Sequence, residues 1–228
     1  MAVLPNAISR IDDLDAYNQI VRQVVQQHRE AELHAEALRL GETAPEFALL
    51  GANGRSWCLA DHLQSGPVVV AFYRGGWCLH CCVRLRMLSA AHEDIAAAGA
   101  RLAAISLASH DAVHAPGRFL PITFDLLYDR GGRTAKLFGV QYTLSSAHAA
   151  ALAGIGIDLR SEHASEQVAL PLTATYVIGR DGVVKYAHVD VDPACFADTA
   201  KIIDLLRSRR LTDGACLGGA AAHPGNVS

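Results

Sequence analysis

The stretch Pro67-Val-Val-Val-Ala-Phe-Tyr73 runs directly into Arg74-Gly-Gly-Trp-Cys-Leu-His-Cys-Cys82, and these residues decide the fold. The first part is uninterrupted apolar sequence rich in β-branched residues, which is typical of a central strand buried on both faces. The two glycines after it predict a turn. Apolar residues then recur at helical spacing over residues 79–98. The sequence therefore predicts a strand, a turn and a helix whose first turn carries Cys78 and Cys81.

Strand and helix patterns alternate on both sides of this unit. Further strands are predicted at residues 101–107 and 123–128, hairpins at 44–59 and 174–189, a short helix at 134–138 and a closing helix at 195–209. Residues 144–170 are interpreted as an insertion with one short helix. Strands joined through helices run parallel, whereas hairpins add antiparallel edges. We therefore expect an α/β fold with a central mixed β-sheet flanked by helices.

An N-terminal helical extension precedes the sheet. Residues 12–40 have a stripe of apolar side chains in alternating steps of three and four, beginning at Leu14, Tyr17 and Val21. That spacing fits a coiled coil between two subunits, or a helix lying across its own domain. We favour the second interpretation because the later part of the stripe offers mostly His and Ala. The predicted organisation is an extension at 1–40, a domain at 41–210 and a flexible tail at 211–228.

Composition restricts the function. The 228 residues are 51% hydrophobic and 19% charged, which is enough to form a large core. The net charge of −3 gives no basic surplus, so neither nucleic acid nor an anionic membrane is an expected partner. No secretory signal and no long apolar run is recognised, and we expect a cytoplasmic protein. No glycine-rich nucleotide-binding motif occurs, so no cofactor is expected.

The cysteines concentrate at one place. Of the six, Cys78 and Cys81 form a C-x-x-C pair at a predicted helix start, where unpaired N–H groups and the helix dipole favour a thiolate. Their spacing places both sulfurs on one helical face. Basic side chains flank the pair, and they would also favour a thiolate if they turned inward: Arg74, His80, Arg84 and Arg86. The sequence thus predicts redox chemistry at this pair.

A zinc site is the structural alternative for a C-x-x-C pair. A second pair with suitable spacing is missing, and we expect no metal. The remaining cysteines are interpreted as bystanders: Cys58, Cys82, Cys195 and Cys216.

Several of these segments together resemble a known family. The run Phe-Tyr-Arg-Gly-Gly-Trp-Cys at 72–78, the Ala-Pro-Glu-Phe-Ala-Leu segment at 44–49 and Ala-Thr-Tyr-Val-Ile at 174–178 are similar to the peroxiredoxin-like branch of the alkyl hydroperoxide reductase/thiol-specific antioxidant (AhpC/TSA) family. The resemblance covers about residues 41–208. It implies a thioredoxin-like fold with the reactive cysteine on the first turn after the central strand.

The resemblance also implies roles for individual residues. The peroxiredoxin motif places Arg74 at its proline, Cys78 at its threonine and Cys81 at the peroxidatic cysteine, whereas in thioredoxins the first cysteine of the pair is the nucleophile. Trp77 belongs to the matching run. Thr173 stands where peroxiredoxins have an arginine and thioredoxins a cis-proline. We take Cys81 and Cys78 as catalytic and the supporting set as Arg74, Trp77, His80 and Thr173.

Three functions follow as alternatives. The first is a peroxidase in which Cys81 reduces a hydroperoxide, Cys78 resolves the sulfenic acid, and a dithiol such as thioredoxin, glutaredoxin or glutathione regenerates the pair. The second is a thiol–disulfide oxidoreductase that begins its reaction at Cys78. The third is a metal-binding or redox-sensing protein without turnover. A homodimer stays an open alternative.

Overall fold

The computed structural model describes residues 13–108, 122–160 and 167–208. Its helices are α1 (Leu14–Glu30), α2 (Leu59–Ser65), α3 (Leu79–Ala97), α4 (Arg133–Leu137), α5 (Ser146–Gly154) and α6 (Thr199–Arg207). Its strands are β1 (Ala48–Gly51), β2 (Ser56–Cys58), β3 (Val68–Phe72), β4 (Arg101–Ser106), β5 (Asp125–Tyr128), β6 (Gln141–Thr143), β7 (Ala169–Pro171), β8 (Thr173–Ile178) and β9 (Val184–Asp190). The predicted tail and Cys216 lie outside the described residues.

One mixed sheet organises the molecule. Its strands lie in the order β2-β1-β5-β4-β3-β8-β9, with β3, β4 and β5 parallel to one another. The hairpin strands pair antiparallel, β1 with β2 at one edge and β8 with β9 at the other. Helices flank this sheet, and β6 pairs with β7 in a separate ribbon. The predicted α/β fold with a central mixed sheet is confirmed.

The strand and helix that present the cysteines match the predicted positions. Every residue of β3 is buried, as its uninterrupted apolar sequence predicts. The turn that follows needs glycine at position 75, because φ there is 145° and an added Cβ would lie 2.8 Å from the indole ring of Trp77. Cys78 then caps α3. The turn therefore delivers the C-x-x-C pair to the carboxyl end of the central strand.

The N-terminal helix is shorter than predicted. The helix α1 ends at Glu30 rather than near residue 40, and Glu32 adopts the left-handed conformation with φ 48°. Where the stripe of large apolar side chains stops, little packing remains to extend the helix. The buried face of α1 joins the same hydrophobic cluster as the sheet through Tyr17, Ile20, Val21, Val24 and Val25. The helix thus lies across its own domain, as the favoured interpretation predicts.

Two other boundaries differ from the prediction. The closing helix α6 begins at Thr199 rather than at Cys195, because the Asp198 carboxylate accepts from the N–H groups of Ala200 and Lys201 and caps the helix there. The helix α2 was not predicted; it is a short element that directly follows β2. The insertion holds α5, as predicted, between strands β6 and β7.

Within the described ranges, no helix has the length and apolarity needed to cross a membrane.

Candidate active site

Both cysteines of the pair are completely buried. Cys78 is the N-cap of α3, and its sulfur accepts a hydrogen bond from the backbone N–H of Cys81 at 3.2 Å. The backbone N–H of Cys78 donates to the carbonyl of Gly75, also at 3.2 Å, which fixes the cap. A sulfur at this position faces the unpaired N–H groups and the positive end of the helix dipole. The local backbone therefore favours negative charge on Cys78.

A buried cation completes the environment of Cys78. Arg74 is only 5% exposed, and its Nη2 donates to the Cys78 sulfur at 3.1 Å. The guanidinium lies 5.2 Å from the centre of the Trp77 ring, within the range of a cation–π contact. Burial raises the pKa of Tyr142, from β6, and the charge of Arg74 opposes that shift. The Trp77 ring and the Cys78 sulfur are thus the contacts of the guanidinium at this site.

The two thiols differ in their electrostatics. Burial alone would raise the pKa of Cys78, but the hydrogen bond with Cys81 and the charge and N–H of Arg74 lower that pKa to about 5. The pKa of Cys81 is instead raised, by burial and by its neighbour Cys78. The thiolate of the pair is thus favoured at Cys78, whereas the resemblance had assigned the first attack to Cys81. The sequence did not reveal this because it could not say where Arg74 points.

A second buried arginine lies behind the pair. Arg84 is 3% exposed, and its guanidinium donates to the carbonyls of Phe72 at 3.3 Å and Ala174 at 2.6 Å, and to the Thr175 hydroxyl. Burial lowers the pKa of Arg84 to about 10, while Cys81 opposes that shift. Arg84 therefore connects α3 to the ends of β3 and β8.

The sequence placed Arg84 only among the flanking cations, yet a signal for its burial was present. It lies three residues after Cys81 and directly before Leu85, within the buried stripe of α3. Arg86, by contrast, is exposed. Helical periodicity thus distinguishes the buried Arg84 from the exposed Arg86.

The other predicted supporting residues have different positions. His80 is half-buried, and its ring stacks on Tyr17 with 6.5 Å between ring centres. Thr173 is buried, and its hydroxyl donates to the carbonyl of Asp190 at 3.1 Å, across the pairing of β8 with β9. The structure thus brings Arg74 and Trp77 to the pair, and it engages the Thr173 hydroxyl with the β9 backbone.

Two of the other cysteines, Cys82 and Cys195, are poor candidates for a thiolate. The Cys82 sulfur lies 3.2 Å from the carbonyl of Gly76, and burial raises the pKa of Cys82 to about 12. Burial also raises the pKa of Cys195, while Cys58 is a half-buried free thiol. Across the residues that the structure describes, no group of three or more His, Cys, Asp or Glu side chains could hold a metal ion.

Several solved structures share the fold. A peroxidoxin BcpB from Mycobacterium tuberculosis is similar at a TM-score of 0.58 and 22% identity, over 75% of this chain and 97% of that one. The reduced 2-Cys peroxiredoxin of Plasmodium vivax gives 0.58 and 17%, over 83% and 92%. A putative thiol:disulfide interchange protein DsbE from Chlorobium tepidum gives 0.52 and 22%, over 75% and 99%. The predicted thioredoxin-like fold is confirmed.

The sequence itself carries a family signature. No curated protein is significantly similar to the chain. The model of the AhpC/TSA family, however, matches residues 40–187, which is more than half of the chain and includes the strand, the turn and the cysteine pair. The chain therefore belongs to the AhpC/TSA family.

Proposed function

We propose that this protein is a thiol peroxidase in which Cys78, rather than Cys81, attacks the hydroperoxide. The observation that carries the proposal is the 3.1 Å hydrogen bond from Arg74 to the Cys78 sulfur in a fully buried site. The thiolate is the nucleophilic form of cysteine, and a pKa near 5 keeps Cys78 in that form at neutral pH. Membership of the AhpC/TSA family supports the same chemistry.

The reaction divides between the two sulfurs. The Cys78 thiolate attacks the terminal oxygen of a hydroperoxide, so that an S–O bond forms as the O–O bond breaks. The departing oxygen takes a proton and leaves as water or an alcohol, and Cys78 becomes a sulfenic acid. The Cys81 thiol then condenses with it, releasing water and forming a disulfide. An external dithiol, such as thioredoxin or a glutaredoxin with glutathione, returns the pair to the reduced form.

Burial favours a small substrate for the first step. Both cysteines are 0% exposed, and Tyr17 on α1 and Tyr142 on β6 are buried in the same hydrophobic cluster. A hydroperoxide needs to bring only one oxygen to the Cys78 sulfur. A protein disulfide would have to bring its own backbone to the same place, which requires the structure around the buried pair to open. Peroxide is therefore the better fit to the closed site.

Single cysteine variants test the assignment. Cys78→Ser is expected to abolish peroxide consumption, because it removes the low-pKa thiol. Cys81→Ser is expected to consume one equivalent and to accumulate a sulfenic acid on Cys78, since the resolving thiol is gone. Mass spectrometry after one equivalent of hydrogen peroxide identifies the oxidised residue. Cys82→Ser is the matched control and should turn over normally; a sulfenic acid on Cys81 instead of Cys78 would reverse the assignment.

A thiol–disulfide oxidoreductase is the second candidate. The low pKa belongs to the first cysteine of the C-x-x-C pair, which is the attacking residue in thioredoxins. Insulin reduction measured beside peroxide reduction separates the two functions. The peroxidase assignment predicts that peroxide oxidises the wild-type protein much faster than insulin does.

A further inference from the structure

The N-terminal helix brings one polar group into the active site. Tyr17, on α1, is completely buried, yet its hydroxyl has no hydrogen-bond partner among the described residues. A buried hydroxyl without a partner loses its hydrogen bonds to water and gains nothing in return. Such a group is free to donate to a molecule bound in the site, and for Tyr17, unlike the equally unpartnered Tyr176, the site in question holds the cysteine pair.

The Tyr17 ring lies beside the first turn of α3, the turn that carries the cysteine pair. Burial raises the pKa of Tyr17, and the negative charge of Cys78 raises it further, whereas the charge of Arg74 opposes the shift. The Tyr17 ring stacks on His80, in the first turn of α3. The phenol therefore faces the N-terminus of α3, and it stays a neutral donor at physiological pH.

Two more buried donors close to Cys78 in the sequence have no hydrogen-bond partner in the described part of the chain. They are the Nε of Arg74 and the indole Nε1 of Trp77, both in the segment that precedes the cysteine. Arg74 already satisfies the sulfur through its Nη2. Donor capacity is therefore left over in this region for a molecule with acceptor oxygens, and a hydroperoxide carries two such oxygens next to each other.

We propose that Tyr17 is a catalytic residue contributed by the N-terminal helix, whose phenolic O–H donates a hydrogen bond to the departing oxygen of the hydroperoxide. This inference rests on the proposed peroxidase function. As the Cys78 sulfur bonds to one oxygen and the O–O bond breaks, the electron pair moves to the other oxygen. Tyr17 stabilises that developing charge, and a proton from water completes the alcohol or water product.

The variant Tyr17→Phe tests the role, because it removes the hydroxyl and keeps the ring. The rate constant for oxidation of Cys78 by hydrogen peroxide or cumene hydroperoxide is expected to fall about 10- to 100-fold, the effect of losing one preorganised donor. Alkylation of Cys78 by iodoacetamide has no departing oxygen, and its rate is expected to change less than twofold. The difference between the two reagents is the signature of the role.

Tyr176 supplies the matched control. It is equally buried, and its hydroxyl also has no partner within the described ranges, but it packs against Phe72 and Phe138. Its pKa is raised by burial and by Glu42, with neither cysteine among the causes. Tyr176→Phe is therefore expected to react with peroxide and with iodoacetamide at wild-type rates.

Three results would overturn the inference, and they differ from one another. If peroxide oxidises Tyr17→Phe at the wild-type rate, the peroxidase proposal stands but Tyr17 takes no part in its mechanism. If the rates with peroxide and with iodoacetamide fall equally, Tyr17 affects the reactivity of the Cys78 thiolate and not the departing oxygen. A wild-type protein that iodoacetamide alkylates rapidly, but that peroxide oxidises no faster than a free thiol, would end the peroxidase proposal and this inference with it.

Discussion

Two buried arginines near the start of α3 have opposite roles. Arg74, in the turn before the helix, donates to the sulfur of Cys78, while Arg84, in the helix, donates to backbone carbonyls of β3 and β8. Both are almost fully removed from water, and in the described residues neither has a carboxylate partner within ion-pair distance.

The two arginines differ in the acceptors to which their guanidinium groups donate hydrogen bonds. A buried cation must be compensated by acceptors, and the choice of acceptor sets its effect. Carbonyls do not titrate at physiological pH, so the hydrogen bonds of Arg84 connect α3 to the sheet without changing the charge of their acceptors. A thiol does titrate, so Arg74 changes the charge of its partner. Burial of a cation alone therefore does not identify an active site.

The largest expected effect is on stability, at Arg84. Replacing Arg84 by Leu leaves the carbonyl of Ala174 and the hydroxyl of Thr175 without this donor, and we expect the free energy of unfolding to fall by about 3 kcal/mol. Urea unfolding at pH 7 measures the loss. Arg84→Lys keeps a donor and should lose less. An unchanged unfolding midpoint in Arg84→Leu would show that these bonds do not hold the helix to the sheet.

The next effect is on reactivity, at Arg74. Replacing Arg74 by Leu removes the cation beside Cys78, and we expect the pKa of that thiol to rise from about 5 by about 1–2 units. The thiolate fraction at pH 6 then falls, and alkylation by iodoacetamide slows at that pH while it stays fast at pH 9. Arg74→Lys retains the charge and should keep the profile near that of the wild type. A Leu variant that still titrates near pH 5 would remove Arg74 as the cause.

The smallest expected effect is on the pKa values of two histidines, each of which is lowered by the charge of one of these arginines. Burial, and then the charge of Arg74, lower the pKa of His28 to about 4, while burial and the charge of Arg84 lower that of His188. Arg74→Leu should therefore raise the pKa of His28 by a few tenths of a unit and leave His188 unchanged, and Arg84→Leu should do the reverse. Titration followed by NMR resolves both rings. Equal shifts at both histidines in either variant would mean that the two arginines do not act separately.

Local sequence patterns predicted most of the fold. The apolar run of β3, the glycine turn and the helical spacing of α3 each depend on neighbours a few residues away, so they could be interpreted without a structure. Boundaries that depend on a single side chain were less accurate. The helix α6 begins later than predicted because Asp198 caps it, and α1 ends earlier than predicted because its stripe of large apolar side chains ends there.

The site was predictable only in part. The C-x-x-C pair and its place at a helix start follow from the sequence, whereas the contacts that distinguish its two sulfurs do not. Arg74 is four residues from Cys78, and only the unusual turn at Gly75 directs its side chain back to the sulfur. Tyr17 comes from an element far along the chain. Contacts between residues far apart in the sequence produce no periodic pattern, which is why the sequence shows Tyr17 only as part of an apolar stripe.

The contacts that lower the pKa of Cys78, from Cys81 as well as from Arg74, also affect how readily the pair accepts electrons. At pH 7, a fall in the pKa of one thiol from 9 to about 5 stabilises the reduced pair by a factor of about 100. For a two-electron couple this raises the reduction potential by about 60 mV. When the disulfide forms, Arg74 loses its anionic partner and remains a buried, uncompensated cation. The oxidised protein is therefore the less favourable state, and its return to the dithiol is driven in part by the recovery of that one contact.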